Sequence, residues 1–172
     1  MMEAPIIDKE AVLVLVHPGS ACGSADFNLG TAVAQAARGA LITELDEWSG
    51  GIVVIDGGLS DEIAVHPSFD RAINACLARA RSSGLTANRV AGDDPEQVDR
   101  IREFAEGGAG TRAQSFTVSG AWYHSVDGTG CVGSVVVELQ RLNRDVTVSP
   151  TALDLDAADV EEQAEKSPDR PA

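Results

Sequence analysis

Lysine is scarce in this chain of 172 residues, and aromatic side chains are few. The only lysines are Lys9 and Lys166, whereas the other eleven of the 13 basic residues are arginines. Because both lysines lie far from the middle of the chain, a catalytic lysine inside the domain is not expected. Aromatic residues make up 4% of the sequence, so valine, leucine, isoleucine and alanine must build the core.

Cysteine is scarce as well. Cys22, Cys76 and Cys131 are odd in number, widely spaced and without a CxxC pair, which argues against a disulfide framework and a zinc ribbon. No segment reaches the roughly 20 apolar residues that span a bilayer, and no secretory signal is recognised. We therefore expect a cytoplasmic protein with no membrane partner.

Negative charge is abundant. The formal net charge is −14, a field that repels phosphate backbones and anionic lipids, so nucleic acid is not an expected partner. The excess of arginine over lysine favours a GC-rich genome, and the alternative explanation is adaptation to high salt, which favours acidic surfaces. A hydrophobic content of 44% indicates a globular protein, and the length is that of one ordinary domain.

Strand and helix patterns alternate along the chain. Continuous apolar runs at 11–16 and 51–56 predict strands that are buried on both faces. Weaker patterns predict three further strands at 88–91, 115–122 and 145–148. Helices are predicted between the strands, over 27–47, 68–83, 95–106 and 131–143, with Ser68 capping the second and Gln97 in a capping box of the third.

This alternation predicts an α/β fold: a three-layer, Rossmann-like domain with a mainly parallel five-stranded sheet and helices on both faces. The domain is expected to span 1–153, and the acidic segment 154–172 is expected to be a disordered tail. If the first strand lies at the centre between the second and fourth, ligands should bind beyond their carboxyl ends. The loops at 17–26 and 123–130 would then face each other.

The first candidate segment, HPGSACGSADFN at 17–28, connects a buried strand to a helix. Its exposed backbone N–H groups could hold an anion without any lysine, although it is neither a Walker A loop nor a dinucleotide fingerprint. The alternative is a plain connection with glycine turns. The candidate ligand-binding residues in it are Ser20, Cys22, Gly23, Ser24, Asp26 and Asn28.

The second candidate segment, SGAWYHSVDGTGCVGSV at 119–135, carries Cys131 near the predicted start of a helix. The positive end of a helix dipole lowers the pKa of a thiol, which makes Cys131 a candidate nucleophile. The alternative is a small buried residue that packs the helix on the sheet. Trp122, Gly128 and Gly130 are candidate ligand-binding residues, and the amides of 128–131 are candidate oxyanion donors.

His17 and His124 each follow a predicted strand, so either could be the general base beside a thiol, or each could have a structural role. Asp56 ends the second strand, where it could bind a hydroxyl or orient a base, or only begin a turn. A metal site formed by these three residues lacks any close ligand spacing, so we expect no metal and no cofactor.

The fourth-strand region resembles the isochorismatase-like cysteine hydrolases, a superfamily that includes the nicotinamidases. The resemblance lies in a strand that ends in glycine, a loop, Cys-Val opening a helix, and a further strand. The matching stretches are VSGAW at 118–122, GCVGSVVVEL at 130–139 and DVTVSP at 145–150.

This resemblance implies that Cys131 is the nucleophile. The aspartate base that ends the family's first strand is replaced here by His17, and the family's lysine has no counterpart. A histidine can replace an aspartate as base, but nothing evident replaces the lysine, so the resemblance implies an altered or lost activity.

The leading hypothesis is therefore a cysteine-hydrolase-like protein that acts on a small amide, ester or related metabolite, with Cys131 as nucleophile and His17 or His124 as base. One alternative is a non-catalytic module that binds a small molecule or anion at the glycine-rich loops. Another is an acidic subunit or scaffold of a larger complex. The sequence does not determine the oligomeric state, and a homo-oligomer is one of the alternatives.

Overall fold

A five-stranded parallel sheet is the centre of the computed structural model, which describes residues 10–18, 31–56, 67–92, 96–106, 113–120, 122–123 and 130–154. Within these residues the sheet contains β1 Glu10–Val16, β2 Gly51–Asp56, β3 Ala87–Ala91, β4 Ala113–Gly120 and β6 Asp145–Val148. The helices are α1 Thr31–Glu47, α2 Pro67–Ser82, α3 Glu96–Glu106 and α4 Gly130–Arg141. Two short strands, β5 Trp122–Tyr123 and β7 Leu153–Asp154, form a separate pair.

The strand order is β3-β2-β1-β4-β6, and every pairing is parallel. The prediction that the first strand lies at the centre, between the second and the fourth, is therefore confirmed. In the register, Val14 lies opposite Val53 on one side and Val118 on the other. Residues 12–16 have no exposed surface, because the β-branched and leucine side chains of β1 are covered on both faces.

The helices complete three layers. α1 packs against α2 and α3 against α4, and right-handed crossovers place the two pairs on opposite faces of the sheet. The predicted α/β, Rossmann-like fold class is thereby confirmed. The apolar face of α2 is buried, at Phe69, Ile73, Leu77 and Ala80. No helix in the described ranges is both long and apolar enough to cross a membrane.

Several helix and strand boundaries differ from the predicted ones. α2 begins at Pro67, whose missing N–H is harmless at a first helical position, so Ser68 is not its cap. β4 ends at Gly120, at φ +120, rather than at Trp122. A Cβ at Gly120 would lie 2.2 Å from the carbonyl oxygen of Val16, so only glycine allows this approach of β4 to β1.

Helix α4 also ends earlier than predicted. Asn143 has φ +62, a left-handed conformation that terminates helices and that asparagine tolerates better than most residues. The N–H of Arg144 donates to the carbonyl of Leu139, which closes the end of the helix. The start predicted for the first helix, at 27–30, and the tail beyond Asp154 lie outside the described residues.

An ion-pair group joins α3 to α4. The Glu138 carboxylate accepts from Arg141 at 2.6 Å and from Arg102 at 3.0 Å. The hydrogen bond from Arg141 is the largest cause that lowers the pKa of Glu138 to about 2, burial opposes it, and Arg102 lowers the pKa further. This group fixes the two helices that carry the residues of the candidate site.

Candidate functional site

His17 directly follows β1 at the carboxyl edge of the sheet. Its φ is +50, which is uncommon for a residue other than glycine. Its backbone N–H donates to the carbonyl of Ile55 at 2.8 Å, and its ring is buried with Nε2 2.6 Å from the carbonyl oxygen of Gly92. Because a carbonyl oxygen only accepts, Nε2 carries the proton in this contact.

Gly92 directly follows β3. Its N–H donates to the Asp56 carbonyl at 2.8 Å. A Cβ at this position would lie 2.9 Å from Cγ of Arg100 and 3.6 Å from Cα of Gln97. The absence of a side chain therefore lets Arg100 of α3 approach the backbone that accepts from His17.

Gln97, in the first turn of α3, is the site residue that sequence reasoning missed. Its side chain is buried, and Nε2 donates to the carbonyl oxygen of Cys131 at 3.1 Å. Its Oε1 is buried and has no hydrogen-bond partner among the described residues. The predicted capping box is therefore wrong, because that motif needs the side chain to accept from the backbone at the start of its own helix.

Cys131 is the second residue of α4, so its predicted place at a helix start is confirmed. The residue is 8% exposed and is one of the buried residues that form the hydrophobic core. The first N–H groups of a helix have no acceptor within that helix, so the start of α4 carries backbone donors near this residue in sequence.

Together, His17, Gly92, Gln97 and Cys131 form what we name the carboxyl-edge cluster. His17 bonds the carbonyl of Gly92, Gly92 lies beside Gln97, and Gln97 donates to the backbone carbonyl of Cys131. The structure thus links the end of β1 to the start of α4 at one edge of the sheet. Gly92 after β3 and Gln97 in α3, neither of which the sequence placed in the site, make the link.

Asp56 is held by a basic partner. Both oxygens of its carboxylate accept from Arg89, at 2.8 and 3.2 Å, and Arg89 also pairs with Asp70 at 2.9 Å. The Asp56 carboxylate is therefore part of an ion-pair network between β2, β3 and α2.

The other predicted site residues divide into two sets. Trp122 lies in β5 and Gly130 is the first residue of α4. The remainder lie outside the described residues: Ser20, Cys22, Gly23, Ser24, Asp26, Asn28, His124 and Gly128.

A second polar group, the hydroxyl cluster, lies at the carboxyl ends of β4 and β6. It consists of Ser119, Ser149, Thr151 and Glu44 of α1. Ser149 Oγ is 2.9 Å from both carboxylate oxygens of Glu44, Thr151 Oγ1 is 2.8 Å from Oε1, and Ser119 Oγ bonds Thr151 Oγ1. An open groove of about 430 Å³ runs beside it, between the last turns of α1 and residues 149–151. Nothing in the sequence pattern singles out these common residue types.

The described residues define a Rossmann-like α/β protein with two polar clusters at the carboxyl end of its sheet. Among them, no group of three or more histidine, cysteine, aspartate or glutamate side chains is placed to hold a metal ion. Comparisons of the chain with protein-family models, curated proteins and solved structures found no match.

Proposed function

We propose that this chain is a cysteine-hydrolase-like protein that cleaves a small amide, ester or related metabolite at the carboxyl-edge cluster. The observation that carries the proposal is the position of Cys131 in the first turn of α4, linked to His17 through Gln97 and Gly92. A thiol in the first turn of a helix is favoured as thiolate by the helix dipole.

In the proposed reaction, the Sγ of Cys131 attacks the carbonyl carbon of the substrate. N–H groups at the start of α4 donate to the developing oxyanion. The C–N or C–O bond then breaks, the leaving group takes a proton, and water hydrolyses the thioester to release the acid and the thiol.

The base in this scheme is a histidine. Nε2 of His17 carries a proton and donates it to the carbonyl of Gly92. In a neutral imidazole the other nitrogen, Nδ1, then has the lone pair, so Nδ1 is the atom that would take the proton from the thiol. His124 is the second candidate for the same role.

Thiol reactivity tests the nucleophile. Treatment with iodoacetamide between about pH 6 and 7, followed by mass spectrometry of the peptides, reports each cysteine separately. Cys76 is an internal control, since it is buried and burial raises the pKa of its thiol. We expect Cys131 to react at least about tenfold faster than Cys76. Equal rates for the two would exclude an activated nucleophile.

The second candidate function is non-catalytic binding of a small molecule at the same cluster. Two observations favour it: Nε2 of His17 is engaged with the Gly92 carbonyl, and Cys131 is only 8% exposed. In that case a metabolite that raises the melting temperature would do so equally in Cys131→Ala, and it would be recovered unchanged.

A further inference from the structure

Gln97 has a hydrogen-bonding atom that the described protein does not use. The side chain is 4% exposed, and its Oε1 has no partner among the described residues. Buried polar atoms are nearly always hydrogen-bonded, so such an acceptor is explained by a donor that comes from elsewhere.

The orientation of the Gln97 carboxamide is fixed. Nε2 donates to the carbonyl of Cys131, and a carbonyl cannot donate, so exchanging the two ends of the amide would place two acceptors against each other. Oε1 is therefore a pre-positioned acceptor beside the first turn of α4.

The only other buried side-chain atom without a partner in the described ranges is Nε of Arg144. That residue precedes β6 at the opposite, amino edge of the sheet, and its guanidinium already binds the carbonyls of Leu142 and Ala105. The unused acceptor of Gln97 is thus specific to the edge that carries Cys131.

We propose that Gln97 Oε1 accepts an N–H from the bound ligand, so that the site takes a carboxamide in preference to the matching ester. The inference rests on the proposed function only in placing the ligand at the carboxyl-edge cluster. An amide offers the required donor, whereas an ester offers none and would leave Oε1 buried and unpaired.

The test uses acetamide and methyl acetate, which carry the two functional groups without a large scaffold. Each is titrated into the ¹⁵N-labelled chain, and the side-chain NH₂ resonance of Gln97, identified by its loss in Gln97→Met, is followed by NMR. We expect acetamide to shift this resonance with an affinity at least roughly tenfold higher than that of methyl acetate.

The matched control is Gln140→Met, the same substitution at an exposed glutamine of α4. It should keep the preference for acetamide, measured on the Gln97 resonance. In Gln97→Met, backbone amides at the start of α4 report binding, and there the preference should disappear. A circular dichroism spectrum like that of the native chain shows that Gln97→Met is folded.

Absence of any acetamide-dependent shift, equal affinity for the two probes, or a preference that survives in Gln97→Met would each overturn the proposal. These outcomes are separate from the iodoacetamide experiment. If Cys131 is reactive but acetamide causes no shift, the hydrolase proposal is retained and the proposed role of Gln97 is wrong. If acetamide causes the shift but Cys131 is unreactive, the role of Gln97 is retained and the hydrolase proposal is wrong.

Discussion

The two polar clusters at the carboxyl end of the sheet differ in how completely they are hydrogen-bonded. In the hydroxyl cluster, three hydroxyl protons meet three acceptors: Ser119 can donate to Thr151, and Ser149 and Thr151 both donate to Glu44. In the carboxyl-edge cluster, Oε1 of Gln97 is left without a partner among the described residues. We expect the first arrangement to stabilise the fold, and we propose that the second leaves an acceptor for a ligand.

The largest effect on stability is expected from removing one hydroxyl of the hydroxyl cluster. Thr151→Val keeps the shape of the side chain but removes the hydroxyl that joins Ser119 to Glu44. We expect the free energy of unfolding to fall by about 1–3 kcal/mol, because a fully buried Ser119 hydroxyl loses its partner. Urea denaturation measures the change.

Thr147→Val is the control for that substitution, since Thr147 is exposed in the neighbouring strand β6. Its effect should stay within about 0.5 kcal/mol. If the two valine variants were equally stable, the hydroxyl cluster would not be a source of stability.

An intermediate effect is expected from acid, through the ion pairs that hold α3 to α4 and hence Gln97 to Cys131. The folded-state pKa of Glu138 is about 2, below its ordinary value of 4.5. The contribution of Glu138 is therefore complete above about pH 4.5 and is lost as the pH falls toward 2. We expect the urea midpoint to fall over that range, and Glu138→Gln to flatten the fall.

Glu103→Gln is the control, because Glu103 is 68% exposed on α3 and pairs only at the surface with Arg100. Its acid profile should match that of the native chain. A Glu138→Gln profile that also matched would show that the ion pairs do not hold the two helices.

The smallest effect on stability is expected at the carboxyl-edge cluster. Gln97→Met removes one hydrogen bond to Cys131 but also removes a buried acceptor that has no described partner, so the two changes offset each other. We expect a change in unfolding free energy below about 1 kcal/mol by urea denaturation, with Gln140→Met as reference. If Gln97→Met lowered the unfolding free energy as much as Thr151→Val, Oε1 would have to be paired in the native protein. The two clusters would then not differ in how completely they are hydrogen-bonded.

The sequence predicted the sheet well because its signals are local. Unbroken apolar runs at 11–16 and 51–56 mark β1 and β2, and the observed strands match these runs to within one residue. The placement of Cys131 at a helix start followed from the same kind of signal. The end of β4 was misplaced because the left-handed conformation of Gly120 depends on its contact with Val16, which is remote in sequence.

The site was predicted only in part for the same reason. The hydroxyl cluster joins Glu44 to side chains more than a hundred positions away, and no spacing rule connects them. Gln97 matched a local capping pattern, and that pattern concealed its contact with α4. An unpaired acceptor such as Oε1 of Gln97 can be recognised only when the hydrogen-bond partners of the surrounding residues are known.

The central position of β1 has a consequence for how the chain assembles. Its partners β2 and β3 follow within the first 92 residues, whereas β4 returns to it from residue 113 onward. Closing that longer excursion costs more chain entropy than pairing β1 with β2. The ribosome therefore releases His17 and Gly92 well before Cys131, and the latter reaches them only when the second half of the sheet docks along β1.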